Sequence, residues 1–280
     1  MDAMTKKQLS IIATKIRMAV IEGTYNAKSG HPGGSLSIAD DLAYLYFNEM
    51  KVDPANPQWE GRDRLVLSKG HAAPALYGAL ALRGYFPMEW IPTLRKVDSP
   101  LQGHPDMKQV PGVDMSAGSL GQGVSCAVGM ALAGKLDGAD YRVYTILGDG
   151  EIGEGQVWEA AMFAAAKKLD NLLVIVDNNN LQIDGTVEEV NSSYPIPEKF
   201  AAFGFHVIEI DAHDYEQIAA ACAEAKTVKG KPTCIVQKSI KGKGVSFMED
   251  QCNWHGVAPN KEQYDAAMAE LTAHLQELEG

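Results

Sequence analysis

The stretch GDGEIGEG, Gly148 to Gly155, and the triplet Asn178-Asn179-Asn180 one helix and one strand later decide how this chain reads. Just before the first, VYTIL (Val143 to Leu147) is an unbroken apolar, β-branched run of buried-strand length, which puts Asp149 at the strand's carboxyl end. Open α/β sheets bind ligands at that end. Gly148 and Gly150 leave no Cβ between backbone and an approaching phosphate oxygen, and a helix starting near Gly155 offers unpaired N–H groups to an anion. LLVIV (Leu172 to Val176) reads as a second buried strand that delivers the asparagines. If the two strands pair in parallel, Asp149 and Asn179 converge on one point, and the stretch reads as a site for a metal-bound diphosphate.

Gly148 to Gly153 also satisfies the dinucleotide pattern G-x-G-x-x-G, with Asp177 ending the next strand where a ribose-binding acid could sit. Charge separates the two readings. Asp149, Glu151 and Glu154 crowd three carboxylates against the expected pyrophosphate, at a few kcal/mol per close like-charge pair unless a cation intervenes. Mg²⁺ removes that objection, since it takes one or two carboxylates or amide carbonyls and lets phosphate oxygens complete its octahedron. A third reading makes the acids a solvated helix N-terminus stabilised by the macrodipole.

With 280 residues the chain can bury a full core, and a single domain over residues 1–280 is expected. The net charge of −11 and the absence of a basic stripe argue against nucleic acid and anionic membranes as partners. An anionic substrate therefore needs local positive charge. Cys126, Cys222, Cys234 and Cys252 lack C-x-x-C spacing, the N-terminus lacks a signal-peptide layout, and no segment is apolar enough to span a bilayer. A reducing, cytoplasmic setting is expected.

A helix is predicted near residues 5–23, then a loop KSGHPGGS (Lys28 to Ser35), then a second amphipathic helix through about Met50. LVLS (Leu65 to Ser68) reads as a strand, APALYGALALRGY as a helix, and residues 86–117, with five prolines, as a long ordered loop. A small-residue helix follows from Leu120 to Lys135. HVIEI (His206 to Ile210) and TCIVQ (Thr233 to Gln237) are two further strands around a helix, and a last amphipathic helix covers residues 261–279. This alternation predicts an α/β fold: a parallel twisted sheet with helices on both faces. His31, His71 and His104 each stand in a loop beside glycine, an uncommon setting for a core imidazole, whereas His206, His213 and His274 read as structural.

GDG, then 27 residues (Glu151 to Asp177), then NN resembles the thiamine diphosphate signature. SGHPGGSLS (Ser29 to Ser37), DRLVLSKGHAAPALY (Asp63 to Tyr77), GHP (Gly103 to Pro105) and GSLGQG (Gly118 to Gly123) resemble, in collinear order over nearly the whole chain, the N-terminal diphosphate-binding half of transketolase. The resemblance implies thiamine diphosphate as cofactor, held through Mg²⁺, or Ca²⁺ or Mn²⁺ in its place. Asp149, Asn179 and the carbonyl of Leu181 resemble the metal ligands. Gly150 is similar to the glycine packed on the diphosphate, His71 to a diphosphate-bonding histidine, and Gly118 and Leu120 to the lining of the aminopyrimidine. His31 and His104 resemble residues that contact donor-sugar hydroxyls, and Glu154 resembles an acid at the interface between paired sites. His255 falls near the family's late histidine over the diphosphate, although its local spacing departs from the common pattern, and Ile240 opens a turn that resembles a cofactor contact.

The activity implied is transfer of a two-carbon ketol unit from a ketose phosphate to an aldose phosphate, as in the pentose phosphate pathway, with His31, His71, His104 and His255 as the imidazoles near the chemistry. The family also needs a pyrimidine-binding half that supplies an activating glutamate, and these residues do not contain it. A split enzyme is therefore expected, with a separate C-terminal subunit in an α2β2 heterotetramer, the alternative being that these residues are a piece of a longer chain. A 1-deoxyxylulose-phosphate-synthase-like enzyme and the α-subunit of a 2-oxoacid dehydrogenase share GDG and NN and remain open, as does an NAD-binding dehydrogenase. The three loop histidines favour a sugar.

Overall fold

A computed structural model of the chain describes residues 4–280. Its strands β1 (Arg64–Leu67), β2 (Val143–Gly148), β3 (Leu172–Asn178), β4 (His206–Asp211) and β5 (Thr233–Lys238) form one sheet in the order β1-β2-β3-β5-β4, with every neighbouring pair parallel. The helices are α1 (Lys6–Ala27), α2 (Pro32–Leu36), α3 (Ala39–Tyr44), α4 (Ala73–Arg83), α5 (Gln122–Leu136), α6 (Gly155–Ala166), α7 (Val187–Asn191), α8 (Ile196–Ala202), α9 (Tyr215–Thr227) and α10 (Lys261–Glu279). They cover both faces, as expected from the alternation in sequence.

The unbroken apolar runs of β2 and β3 follow from that cover. Tyr144, Ile146, Leu173 and Ile175 enter a core shared with α1, α3, α4, α9 and α10, while Val143, Leu147, Leu172, Val174 and Val176 enter a second core with α5, α6 and α8. A strand buried on both sides has no polar face to alternate with. The chain steps across the sheet from β1 to β4 in one direction and then returns to β5. With right-handed crossovers, that reversal carries α9 to the face opposite α5, α6 and α8. Gly148 pairs with Asp177 and Asn178 with Lys238, so the loops leaving β2, β3 and β5 emerge side by side.

The second predicted helix is not one amphipathic element. α2 starts inside the expected loop at Pro32, whose ring pre-sets a helical φ in the first turn. The segment then breaks at Ser37-Ile38 and resumes as α3 and a π-helical turn over Leu45–Glu49. Residues 32–46 are all buried, so this stretch carries no solvent stripe. α7 and α8 lie where no helix was expected, and His213 sits in the turn ahead of α9 rather than on a helix. The proline-rich stretch 86–117 is an ordered loop with a 3₁₀ segment at Met88–Thr93, anchored by buried Leu101, Val110 and Val113. α10 has its expected bounds and is capped by Asn260 and Gln263. It packs Leu271, Tyr264 and Met268 on the first core, and Tyr264 stacks on Tyr25 of α1.

The first turn of α5 passes so close to the end of β1 that a Cβ on Gly123 would lie 2.6 Å from the Ser68 Cα. Gly123→Ala should therefore destabilise the chain by about 1–3 kcal/mol in urea unfolding. Gly129→Ala, on the exposed side of the same helix with nothing within 4 Å, should be neutral or stabilising. Equal midpoints for the two variants would refute the close approach.

Candidate cofactor site

At the carboxyl end of β1, β2 and β3 a cavity of about 330 Å³ is lined by His31, Lys69, His71, Asp149, Asn179 and Lys241, with Gly118, Leu120, Gly150, Leu181 and His255 completing its walls. Asp149 leaves β2 with one carboxylate oxygen accepting the Gly150 N–H at 2.8 Å and the other accepting the Asn180 N–H. Burial, and then repulsion from Asp177, raise its pKa to about 7. The three asparagines divide the work of the next loop. Asn178 Oδ1 accepts from the Tyr194 hydroxyl at 2.7 Å, and Asn180 takes a left-handed φ of 63° that asparagine tolerates. Asn179 Nδ2 donates to Asp177 at 2.9 Å, which fixes the amide so that Oδ1 is the free end; it accepts the Leu181 N–H at 3.1 Å.

Asp177 anchors this arrangement from below. It is fully buried and accepts from Lys69 Nζ, from Ser37 Oγ at 2.8 Å and from Ser239 Oγ, in addition to Asn179. Burial alone would push its pKa up, but Lys69 and the hydroxyls hold it below the usual carboxylate range. Lys69 itself is buried and also donates to the Gly34 carbonyl at 2.8 Å. Asp177 is therefore sealed off from any ribose, which removes the feature that kept a dinucleotide reading open. Glu151, too, is turned inward: it accepts from Ser68 Oγ and from the N–H groups of Gly121 and Gly148. Of the three acids expected to crowd the anion, Asp149 and Glu151 line the cavity, each with its carboxylate bonded to nearby donors, while Glu154 is exposed and lies outside the lining.

All four loop histidines gather here. The His31 ring lies 5.2 Å from His71, 5.5 Å from His255 and 6.3 Å from His104, and His71 lies 5.0 Å from His255. Burial, then neighbouring cations, depress them: His31 to about 4 with Arg95 the next cause, His255 to about 3 with Lys241, and His71 well below its ordinary value with Lys69. His104, more open, is lowered by burial and then Arg95. The imidazoles are therefore neutral near pH 7. His31 Nδ1 is buried with no hydrogen-bond partner, an orphaned polar atom beside the cavity.

Lys241 closes the cavity from the turn after β5. Its Nζ donates to the Leu181 carbonyl at 3.0 Å and to His255 Nδ1 at 3.0 Å. Burial lowers its pKa to about 8 against the opposing pull of Asp149. The turn depends on Gly242, at φ 81°, where a Cβ would meet the Met248 carbonyl oxygen at 2.2 Å. Among the described residues no three His, Cys, Asp or Glu side chains converge to hold a metal. The oxygens that could hold a cation here are those of the Asp149 carboxylate, the Asn179 amide and the Leu181 carbonyl, a hard set of the kind divalent ions take together with phosphate oxygens.

Comparison with known proteins assigns this architecture. Residues 8–276 match the family model for the transketolase thiamine diphosphate-binding domain. The chain belongs to that family. It is 50% identical over 259 residues to the 6-deoxy-6-sulfo-D-fructose transketolase subunit SqwG of Clostridium sp. (strain MSTE9), covering 92% of this chain and 94% of the relative. It is 42% identical to an apulose-4-phosphate transketolase subunit of Phocaeicola vulgatus, covering 99% and 98% of the two chains. Campylobacter jejuni transketolase superposes with a TM-score of 0.90 at 36% identity, and there the match covers 96% of this chain but 43% of that one. The chain thus spans less than half of the one-chain transketolases and nearly all of the relatives named as subunits.

Within this transketolase domain, His31, His71, Gly118, Leu120, Asp149, Gly150, Asn179, Leu181 and His255 line one cavity, so His255 joins the set although its local spacing departs from the common pattern. His104 stands just outside in a shallow pocket with Gln102, Asp106 and Ser116, its ring against Gly118. Ile240 lies outside the cavity lining, and its N–H bonds His213. Glu154 stays on the surface ahead of α6. Sequence reasoning missed Lys69 and Lys241, two buried ammonium groups in an acidic chain. Their signal was a lysine flanked by glycine at a strand's carboxyl end, in Lys69-Gly70 and Lys241-Gly242.

Asp177→Ala leaves the Lys69 charge buried without its acid. It should cost about 3–5 kcal/mol of stability in chemical denaturation. Asp177→Asn should cost less. Two midpoints equal to that of the unmodified chain would show that the pair does not support the cavity floor.

Proposed function

We propose that this chain is the diphosphate-binding subunit of a two-chain transketolase, moving a two-carbon ketol unit from a ketose to an aldose phosphate together with a separate pyrimidine-binding subunit. One observation carries the reading: three neutral imidazoles line, and His104 stands just beside, a cavity whose lining combines the Asp149 carboxylate and the Asn179 amide with two buried lysines. Thiamine diphosphate, when bound, supplies the nucleophilic carbon and the electron sink that ketol transfer requires. Asp149, Asn179 and the Leu181 carbonyl would hold Mg²⁺, and Lys241, which lines the same cavity, would offer its ammonium to the diphosphate. His71 bonds the diphosphate, and Gly118 and Leu120 line the aminopyrimidine end. The Lys241 bond to His255 Nδ1 leaves the His255 proton on Nε2 as a donor into the cavity. His31 and His104, being neutral, can each give one hydrogen bond and take one from substrate hydroxyls and move a proton near pH 7.

A polyhydroxylated donor fits four imidazoles better than a simple 2-oxoacid, which disfavours the dehydrogenase α-subunit; a 1-deoxyxylulose-phosphate-synthase-like reaction is the second reading. The relatives' names point to a terminal phosphate or sulfonate on the sugar. The whole chain acts as one diphosphate-binding module, with Glu154 at the contact between paired sites of an α2β2 assembly. Four free cysteines suit a cytoplasmic setting. No helix among the described residues is long and apolar enough to cross a membrane.

Asp149→Ala should weaken Mg²⁺-dependent thiamine diphosphate binding by at least about a hundredfold, since even outer-shell partners of a metal are worth roughly 10–100-fold. Fluorescence titration of the assembled two-chain enzyme measures this, and unchanged affinity would overturn the metal assignment. His104→Ala should reduce donor turnover while leaving cofactor affinity near that of the unmodified enzyme. Parallel loss of both would place His104 on the cofactor instead.

A further inference from the structure

Behind the cofactor turn lies a buried polar chain that no expected role accounts for. Asp40, on α3, is buried and accepts from Arg17 of α1 at 2.5 Å, from the Tyr215 hydroxyl at 2.9 Å and from His213 Nδ1 at 2.7 Å. The other ring nitrogen of His213 meets the backbone N–H of Ile240 at 3.1 Å. A backbone amide can only donate, so Nε2 carries the lone pair, and the ring proton sits on Nδ1 and points at Asp40. Burial would raise the Asp40 pKa, but Arg17 and His213 outweigh it and hold the group ionised. An ionised carboxylate held by three partners is a fixed acceptor, and it selects the His213 tautomer.

Ile240 is one residue from Lys241, and the turn is pinned residue by residue. Ser239 donates to Asp177, Ile240 to His213, Lys241 to the Leu181 carbonyl, and the Gly242 N–H to the Gly33 carbonyl. Through Asp40, His213 ties this turn to α1 and α3 in the first core.

We infer that His213 is a positioning residue: held in its Nδ1–H tautomer by Asp40, it fixes the Ile240 amide and so sets where Lys241 enters the cofactor cavity. The effect on cofactor rests on the functional reading above; the effect on the turn does not. Glutamine reproduces the Nε2 acceptor and asparagine the Nδ1 donor, so two substitutions separate the two bonds. In the full chain, the Ile240 amide should exchange slowly in the unmodified protein and in His213→Gln, and at least roughly tenfold faster in His213→Asn. In the assembled enzyme, thiamine diphosphate with Mg²⁺ should bind His213→Asn roughly fivefold more weakly, the scale of one lost hydrogen bond, and His213→Gln about as well as the unmodified protein.

Unchanged Ile240 exchange in His213→Asn, or equal loss of affinity in both variants, would overturn the inference. Should either variant fail to fold, ring ¹⁵N shifts of the unmodified chain decide the matter. A bare Nε2 and a protonated Nδ1 support the latch, and the opposite tautomer refutes it. An unmodified enzyme that binds no thiamine diphosphate would instead sink the functional reading while leaving the exchange and tautomer results standing.

Discussion

The site rests on a buried ion pair. Lys69 and Asp177 meet at 2.5 Å with almost no exposure on either side chain, and removing two charges from water is costly unless other hydrogen bonds satisfy them. Here they are satisfied: Asp177 also takes Ser37, Ser239 and Asn179, and Lys69 also bonds the Gly34 carbonyl. One carboxylate thereby ties the ends of β1, β3 and β5 to the α2 turn, four segments that are remote in sequence. The Asn179 amide inherits its orientation from this pair, since its nitrogen is committed to Asp177 and its oxygen must face the other way.

The chain is acidic, with a net charge of −11, yet its cavity places two buried lysines beside a buried carboxylate. Positive charge there is confined to Lys69 and Lys241, and those ammonium groups are among the causes that keep His31, His71 and His255 neutral. Desolvation pushes Asp149 up toward neutrality and Lys241 down toward it. The divalent ion and phosphate of the proposed function would oppose both shifts, one against Asp149 and the other against Lys241. The Lys241 ammonium bonds the Leu181 carbonyl.

Strands, the final helix and the motif positions were legible because each leaves a local mark: apolar runs for β2 and β3, an apolar stripe for α10, glycines and asparagines at strand ends. What was illegible is the direction in which a polar side chain points. Glu151 and Glu154 look alike in sequence, but one is buried against three donors and the other is solvated. The partners of Asp177 lie 140 and 108 residues away, at Ser37 and Lys69, and no local pattern announces a contact over such separations. The fragmentation of the segment after Pro32 was hidden for the same reason: its polar residues Asp40 and Asp41 are buried by tertiary partners, so the periodicity mimics a surface helix that does not exist.

The cavity itself argues for the proposed second polypeptide. Besides its polar groups, the lining carries Ile183 and Val190 at 64% and 44% exposure. Exposed aliphatic side chains beside a polar cleft make poor contacts with water and good ones with an apolar ring or a covering chain. Met162 and Phe163 of α6 are also exposed. On the proposed function, groups of this chain would hold the diphosphate, and the exposed aliphatic residues would pack against an apolar ring or the second polypeptide.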